Sequence, residues 1–191
     1  MKKTILIALM LLGFGTSVSA FTFAENKKAC DSGDMNGCFN LGDMYNDSQG
    51  VKWDYFKAVE FYTKACDGGN MEGCYELGLT YADGRGVKQD YFKAVKLFTK
   101  ACDAGLMYGC SSLGFAYKYG QGVKQDVFKT VKLYTKACDG GFMQGCVSLG
   151  FIYYDGKGVR QSNKNALKYW GKACDGGYAD GCEQYAKVKK M

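Results

Sequence analysis

The chain has 191 residues, 47% of them hydrophobic, with 25 Lys and Arg against 19 Asp and Glu, ten cysteines, and neither histidine nor proline. A net charge of +6 is mild, whereas a dedicated nucleic-acid binder carries a denser basic footprint, so nucleic acid is not an expected partner. Without histidine there is no Ser-His or Cys-His nucleophile pair and no imidazole ligand for a metal; without proline, long helices and short turns go unbroken.

The N-terminus reads as an address. Lys2 and Lys3 precede an apolar run from Ile5 to Phe14, and Val18-Ser19-Ala20 offers the small residues that a signal peptidase reads. The run is too short to span a bilayer as a helix. Residues 1–20 are therefore expected to be a signal peptide, and residues 21–191 a single repeat domain whose charge falls to +4 with the loss of two lysines. Phe21 follows the cut, so this is not the Cys start of a lipoprotein, and no later stretch is apolar or long enough for a membrane span. Export to a secreted or periplasmic location puts the even set of cysteines in an oxidising compartment, where disulfides form.

From residue 30 onward the chain repeats. The cysteines fall in pairs eight positions apart, Cys30/Cys38, Cys66/Cys74, Cys102/Cys110, Cys138/Cys146 and Cys174/Cys182, and successive pairs are offset by 36. A fixed period of this size means a solenoid or array. Each period reads as two helices. In the second, helix A runs from about Met71 to Ala82, with Cys74, Leu77, Gly78 and Tyr81 on one face. Asp83-Gly84-Arg85-Gly86 breaks it, Asp90 caps helix B, and Ala94, Phe98 and Ala101 form the face of helix B, which ends near Cys102 before Gly105. Small residues on the buried faces leave room for the aromatics, and neighbouring units complete each other's core. Residues 21–29 match only the last turns of helix B. At the far end Glu183-Gln184-Tyr185-Ala186 replaces the usual x-x-Leu-Gly, and lysines follow at a helix C-terminus, where cations are favoured.

The Cys74/Leu77/Gly78/Tyr81 pattern, the Gly-x-Gly-Val turn and the Ala94/Phe98/Ala101 face together resemble Sel1-like repeats, relatives of the tetratricopeptide repeats. Cysteine pairs separated by seven residues inside 36-residue units resemble those of the Helicobacter cysteine-rich protein family. The resemblance covers nearly all of residues 26 to 186. Departures are Ser48 in place of the first turn glycine, and Ser162-Asn163-Lys164 in place of an Asp cap and aromatic pair. It implies an all-α, right-handed solenoid of about four helix-pair units with a concave groove. Some members of that family are labelled β-lactamases for penicillin binding and slow hydrolysis.

The cysteine spacing is neither the Cys-x2–4-Cys of structural zinc nor the Cys-x-x-Cys of redox enzymes. A gap of seven joins the end of helix B to the start of the next helix A, and a tight hairpin there favours a bridge within each pair, each adding about 2.5 kcal/mol. A serine β-lactamase needs Ser-x-x-Lys, Ser-Asp-Asn and Lys-Thr-Gly, and none occurs; Ser112 and Ser162 lack the lysine partner at that spacing. No catalytic residue can be named, and no metal or other cofactor is expected. Lys93, Lys96 and Lys100 recur as Lys129, Lys132 and Lys136 and read as a solvated outer face. The glycine turns lack the strand of a phosphate loop and the ligand ladder of a calcium loop.

The informative positions are those that change between near-identical units. On one flank of helix A lie Phe39 and Asp43, Tyr75 and Leu79, Ser111 and Phe115, then Val147 and Phe151, with Asp83, Tyr119 and Tyr154 at the helix ends. Two readings stand: these residues line a concave groove for a peptide or protein segment, favoured toward basic ligands by Asp43, Glu72 and Asp83, or they pack against the next unit. The expected protein is a monomer that binds such a segment in its groove. The alternative is a penicillin-binding protein that hydrolyses β-lactams slowly, with a β-lactam or cell-wall fragment as ligand.

Overall fold

The structure, a computed structural model, describes residues 22–190. The expected signal peptide lies outside the described residues, which form helices joined by short turns. Its elements are α1 (Phe23–Asp31), α2 (Met35–Asp47), α3 (Tyr55–Asp67), α4 (Met71–Asp83), α5 (Tyr91–Asp103), α6 (Met107–Tyr119), α7 (Val127–Asp139), α8 (Met143–Asp155), α9 (Asn163–Asp175) and α10 (Ala179–Lys189). The even-numbered helices are helix A of successive units and the odd-numbered ones helix B. α1 is a partial helix B at the start of the stack, and α10 a helix A that ends it. Every helix packs on its neighbours in sequence, so the core is one continuous strip through an all-α solenoid.

The turn from A to B is built the same way four times. Gly84 closes α4 in the left-handed region at φ +73°, its N–H bonded to the Thr80 carbonyl. Ser48, which replaces glycine in the first unit, adopts φ +58° there. The N-cap of helix B then reaches back: the backbone N–H groups of Asp54, Asp90, Asp126 and Ser162 donate to the carbonyls of Tyr45, Tyr81, Tyr117 and Tyr153 at 2.8 to 3.0 Å. Their side chains accept from the first-turn N–H groups of the helices they start. Ser162 keeps this cap despite the sequence drift of the fourth unit.

Within each unit A packs on B through a glycine against a ring. Gly42, Gly78, Gly114 and Gly150 face Tyr62, Phe98, Tyr134 and Trp170. All four rings are buried, as are the alanines that flank them on the helix B face, Ala58, Ala94, Ala101 and Ala137 among them. Gly150 lies so close to Trp170 that a β-carbon there would fall among the ring atoms. The indole N–H donates to the Val147 carbonyl at 3.3 Å.

The opposite edge, where helix B turns into the next helix A, carries the disulfides. The bridges are Cys30–Cys38, Cys66–Cys74, Cys102–Cys110, Cys138–Cys146 and Cys174–Cys182, with Cα atoms 4.4 to 4.7 Å apart. Each joins the end of one repeat to the start of the next. A lysine reinforces the same seam. The Lys64, Lys100 and Lys136 ammonium groups donate to the carbonyls of Cys30, Cys66 and Cys102, 34 residues earlier, at 2.9 to 3.2 Å. Lys172 turns instead to the Asp139 carboxylate, at 2.6 Å. The lysine stripe of helix B is thus divided: Lys93, Lys96, Lys129 and Lys132 are exposed, whereas Lys100 and Lys136 tie adjacent units together.

Candidate binding groove

Beyond sequence neighbours, the helices that touch most are α2 with α4 and α8 with α10, helix A on helix A. Helices A therefore form the inner wall, and the variable flank read from the sequence lies on them. The residues of that flank separate into a centre and two ends.

At the centre a cleft of about 220 Å³ opens between α4, α5 and α6. Leu79 and Asp83 come from α4, Val95 and Phe98 from α5, and Ser112 and Phe115 from α6. Phe115 stands 48% exposed at its mouth, with the Tyr119 ring 4.5 Å away and 55% exposed. Asp83 is exposed and ion-paired with Arg85 at 3.0 Å. The side chains that make the cleft are held by the repeat itself, because Phe98 is fixed against Gly78 and the A–B turn is closed at Asp90.

Tyr75 does not stand free. Its ring lies 5.8 Å from Phe98 and 4.5 Å from Tyr108, which in turn is 6.4 Å from Phe142. Burial raises the pKa of its phenol, and the nearby Ser112 hydroxyl works against that shift. An aromatic row therefore runs along the wall from α4 across α6 to the cap of α8. Tyr108 and Phe142 belong to this surface and were not expected from the sequence. The signal was present: the matching positions of other units hold Asn36, Glu72 and Gln144 for Tyr108, and Asp34, Asn70, Leu106 and Tyr178 for Phe142.

The ends of the flank lean on helix B rings, and Phe151 keeps 37% of its surface exposed. Phe39 lies against Tyr62 at 6.2 Å, and Asp43 accepts the Tyr62 hydroxyl at 2.8 Å. Phe151 and Tyr154 both rest on Trp170, at 5.3 and 5.5 Å. Val147 is buried in the core. Tyr119 and Tyr154 are not equivalent: Tyr119 stands where the second unit has Asp83, and Tyr154 where it has Ala82.

The electrostatics are those of crowded acids at the N-terminal end of the wall. Burial pushes the Glu76 carboxyl up to about 7; nearby Asp43 adds to the shift and Arg85 opposes it. Asp43 is also raised, by burial first, against the lowering effect of the Tyr62 hydroxyl bond. The Tyr108 phenol is pushed up to about 12 by burial and then by Glu72. Glu76, one residue after Tyr75, is the acid that sequence reading passed over.

Chemically the cleft offers one serine hydroxyl, that of Ser112, and no lysine among its lining residues. An activated serine needs a base within hydrogen-bond reach; the one carboxylate lining this cleft, Asp83, is ion-paired with Arg85. Among the described residues no group of three or more acidic or cysteine side chains is placed to hold a metal ion.

Four Sel1 repeats match this chain, over residues 36–70, 72–106, 108–142 and 144–178. Among solved structures it is similar to a protective antigen of uropathogenic Escherichia coli strains that displays an SLR fold, at 28% identity and a TM-score of 0.77. That likeness covers 87% of this chain but 36% of the antigen, so the chain spans about a third of the antigen's length. A Sel1 repeat protein from Oxalobacter formigenes is 25% identical with a TM-score of 0.77, over 87% of this chain and 75% of that one. Helicobacter pylori cysteine rich protein B is 32% identical with a TM-score of 0.52, over 63% of this chain and 86% of that one. No curated protein matches the chain. With four matched repeats and a disulfide at every B–A hairpin, the chain belongs to the Sel1 repeat family, as a cysteine-rich member.

Proposed function

We propose that the protein binds a peptide or protein segment along the wall of helices A, outside the cytoplasm. The scaffold is a generic repeat platform suited to protein binding. The observation that carries the finer reading is the central cleft with Phe115 and Tyr119 exposed at its mouth. Aromatic side chains beside an apolar cleft are the anchors that dominate binding energy in protein interfaces. Asp83 in its lining, with Asp43 and Glu76 toward the N-terminal end of the same wall, favours a segment with basic character. Five disulfides point to an oxidising compartment, and the N-terminal signal pattern fits export to the periplasm or beyond. Hydrolysis of β-lactams by a serine would call for a lysine beside Ser112, and the lining of the cleft holds none.

The test is a photocrosslinker placed at Tyr119 in the exported protein, followed by titration of the captured partner. Phe115→Ala with Tyr119→Ala is expected to weaken binding by about 2 kcal/mol and leave the melting temperature unchanged. Unchanged affinity removes the groove from consideration. A loss of affinity together with stability makes these residues packing between repeats. Tyr75 is a poor probe, because its ring is part of the aromatic row and its removal would disturb that packing.

A further inference from the structure

The edge that carries the A–B turns has a surface of its own, independent of the groove. Three clefts of about 660, 650 and 640 Å³ recur there, one in each of the first three units. Beside each, the second residue of helix B is a phenylalanine standing in solvent: Phe56 at 77%, Phe92 at 72% and Phe128 at 81% exposure. Single exposed apolar residues are ordinary. Three at equivalent positions of consecutive units, on one edge of a solenoid, form a row.

Cations accompany every phenylalanine. The next residue, Lys57, Lys93 or Lys129, lies over the ring of Tyr45, Tyr81 or Tyr117 at 5.0, 4.8 and 4.8 Å, which holds its ammonium beside the cleft. A second exposed lysine, Lys52, Lys88 or Lys124, follows the turn valine. The N-cap acids Asp54, Asp90 and Asp126 are spent on backbone N–H groups of their own helices. Trp53, 58% exposed, extends the row at its first unit.

We propose that this edge docks on an anionic lipid surface. The phenylalanines and Trp53 enter the boundary between headgroups and acyl chains, and the lysines meet the lipid phosphates. Apolar residues flanked by Lys are the chemistry of peripheral membrane binding. Repetition selects the occupant. The groove positions differ from unit to unit, as recognition of a unique sequence requires; the edge shows the same phenylalanine and lysines three times, which suits a partner that is uniform along its length. No helix among the described residues is long and apolar enough to cross a membrane, so attachment here is to the surface.

The experiment is cosedimentation of the oxidised full chain with phosphatidylcholine vesicles and with vesicles containing phosphatidylglycerol. The wild type is expected to sediment with the anionic vesicles, less so at high salt. F56S/F92S/F128S should lose at least about tenfold in affinity, with its helical circular dichroism unchanged. K52E/K88E/K124E should lose the preference for anionic lipid. All of these chains share the residues before Thr22, so the difference between them reports the edge. Only two tryptophans are present and Trp170 is buried, so a blue shift of emission on adding anionic vesicles marks Trp53 entering lipid. The groove variant F115A/Y119A should sediment as the wild type does, which separates this surface from the proposed peptide site. Wild-type protein left in the supernatant, or a phenylalanine triple that sediments equally well, overturns the proposal. If vesicles are ignored while polyglutamate binds the wild type and not the phenylalanine triple, the edge takes an acidic protein and the lipid assignment is wrong.

Discussion

Glu76 is the residue whose chemistry is most altered by the fold. Its carboxyl rises from an ordinary 4.5 to about 7 because it is partly buried beside Asp43. A group with a raised folded value contributes stability that is fully present below about pH 4.5 and is lost as pH rises through about 7. Glu76→Gln should therefore stabilise the protein at pH 8, by about 1 kcal/mol once solvent screening is allowed for, and change little near pH 4.5. Thermal melts at the two pH values check this. A second residue-scale contrast lies in the glycines that face rings. A β-carbon at Gly114 would lie 3.0 Å from the Tyr134 ring, whereas at Gly150 it would fall among the atoms of Trp170. Gly150→Ala is expected to cost about 2–3 kcal/mol through overpacking, and Gly114→Ala less than about 1, since alanine recovers helix propensity there. Urea unfolding of the oxidised variants measures both. The small residue on the buried face was legible from the helical period. That Phe98 fills space left by such small residues was legible too; how closely each ring approaches its glycine was not, because the ring comes from the other helix, 20 positions away.

At the scale of the element, helix B is uniform and helix A is not. Every full helix B starts at an Asp or Ser whose side chain caps it. Helix A starts at Asp34 or Asn70 in α2 and α4, with a side-chain cap, but at Leu106, Phe142 and Tyr178 in α6, α8 and α10, with none. Those last helices have given up a capping bond. Phe142 takes its place in the aromatic row, and the Tyr178 hydroxyl is hydrogen-bonded to Gln144. Leu106→Asn should restore the cap and add about 1 kcal/mol of stability, seen as a higher denaturation midpoint with unchanged slope. Helix limits and turns were readable to within a residue, since Asp90 and Gly84 act locally. The division of the variable flank was not. Phe115 and Phe151 hold the same position in their units, yet Phe151 lies on Trp170 where Phe115 has Tyr134, and Phe115 pairs instead with Tyr119. Both rings keep an exposed side, Phe115 at 48% and Phe151 at 37%, and the residue across the helix pair decides which ring each one meets.

At the scale of the whole molecule, the stack has two unlike edges. One is closed by disulfides and by lysines that reach 34 residues back; the other presents turns, phenylalanines and exposed lysines. The period of 36 and the cysteine pairs made the stack itself legible, because any such repeat must bury its faces on its neighbours. The edges were less so. The reach of Lys100 to the Cys66 carbonyl depends on how consecutive units are set against each other, and a period in the sequence does not state that. The placement of the bridges also fixes how the molecule behaves as a tether. They hold cysteines eight positions apart at the seams between repeats, so under tension each seam is inextensible. Pulled from its ends, a unit of 36 residues releases only about 28 of them, a step of roughly 10 nm at ~3.5 Å per residue. In reductant each step should lengthen by roughly 3 nm, so a single-molecule extension trace would count the intact seams one by one.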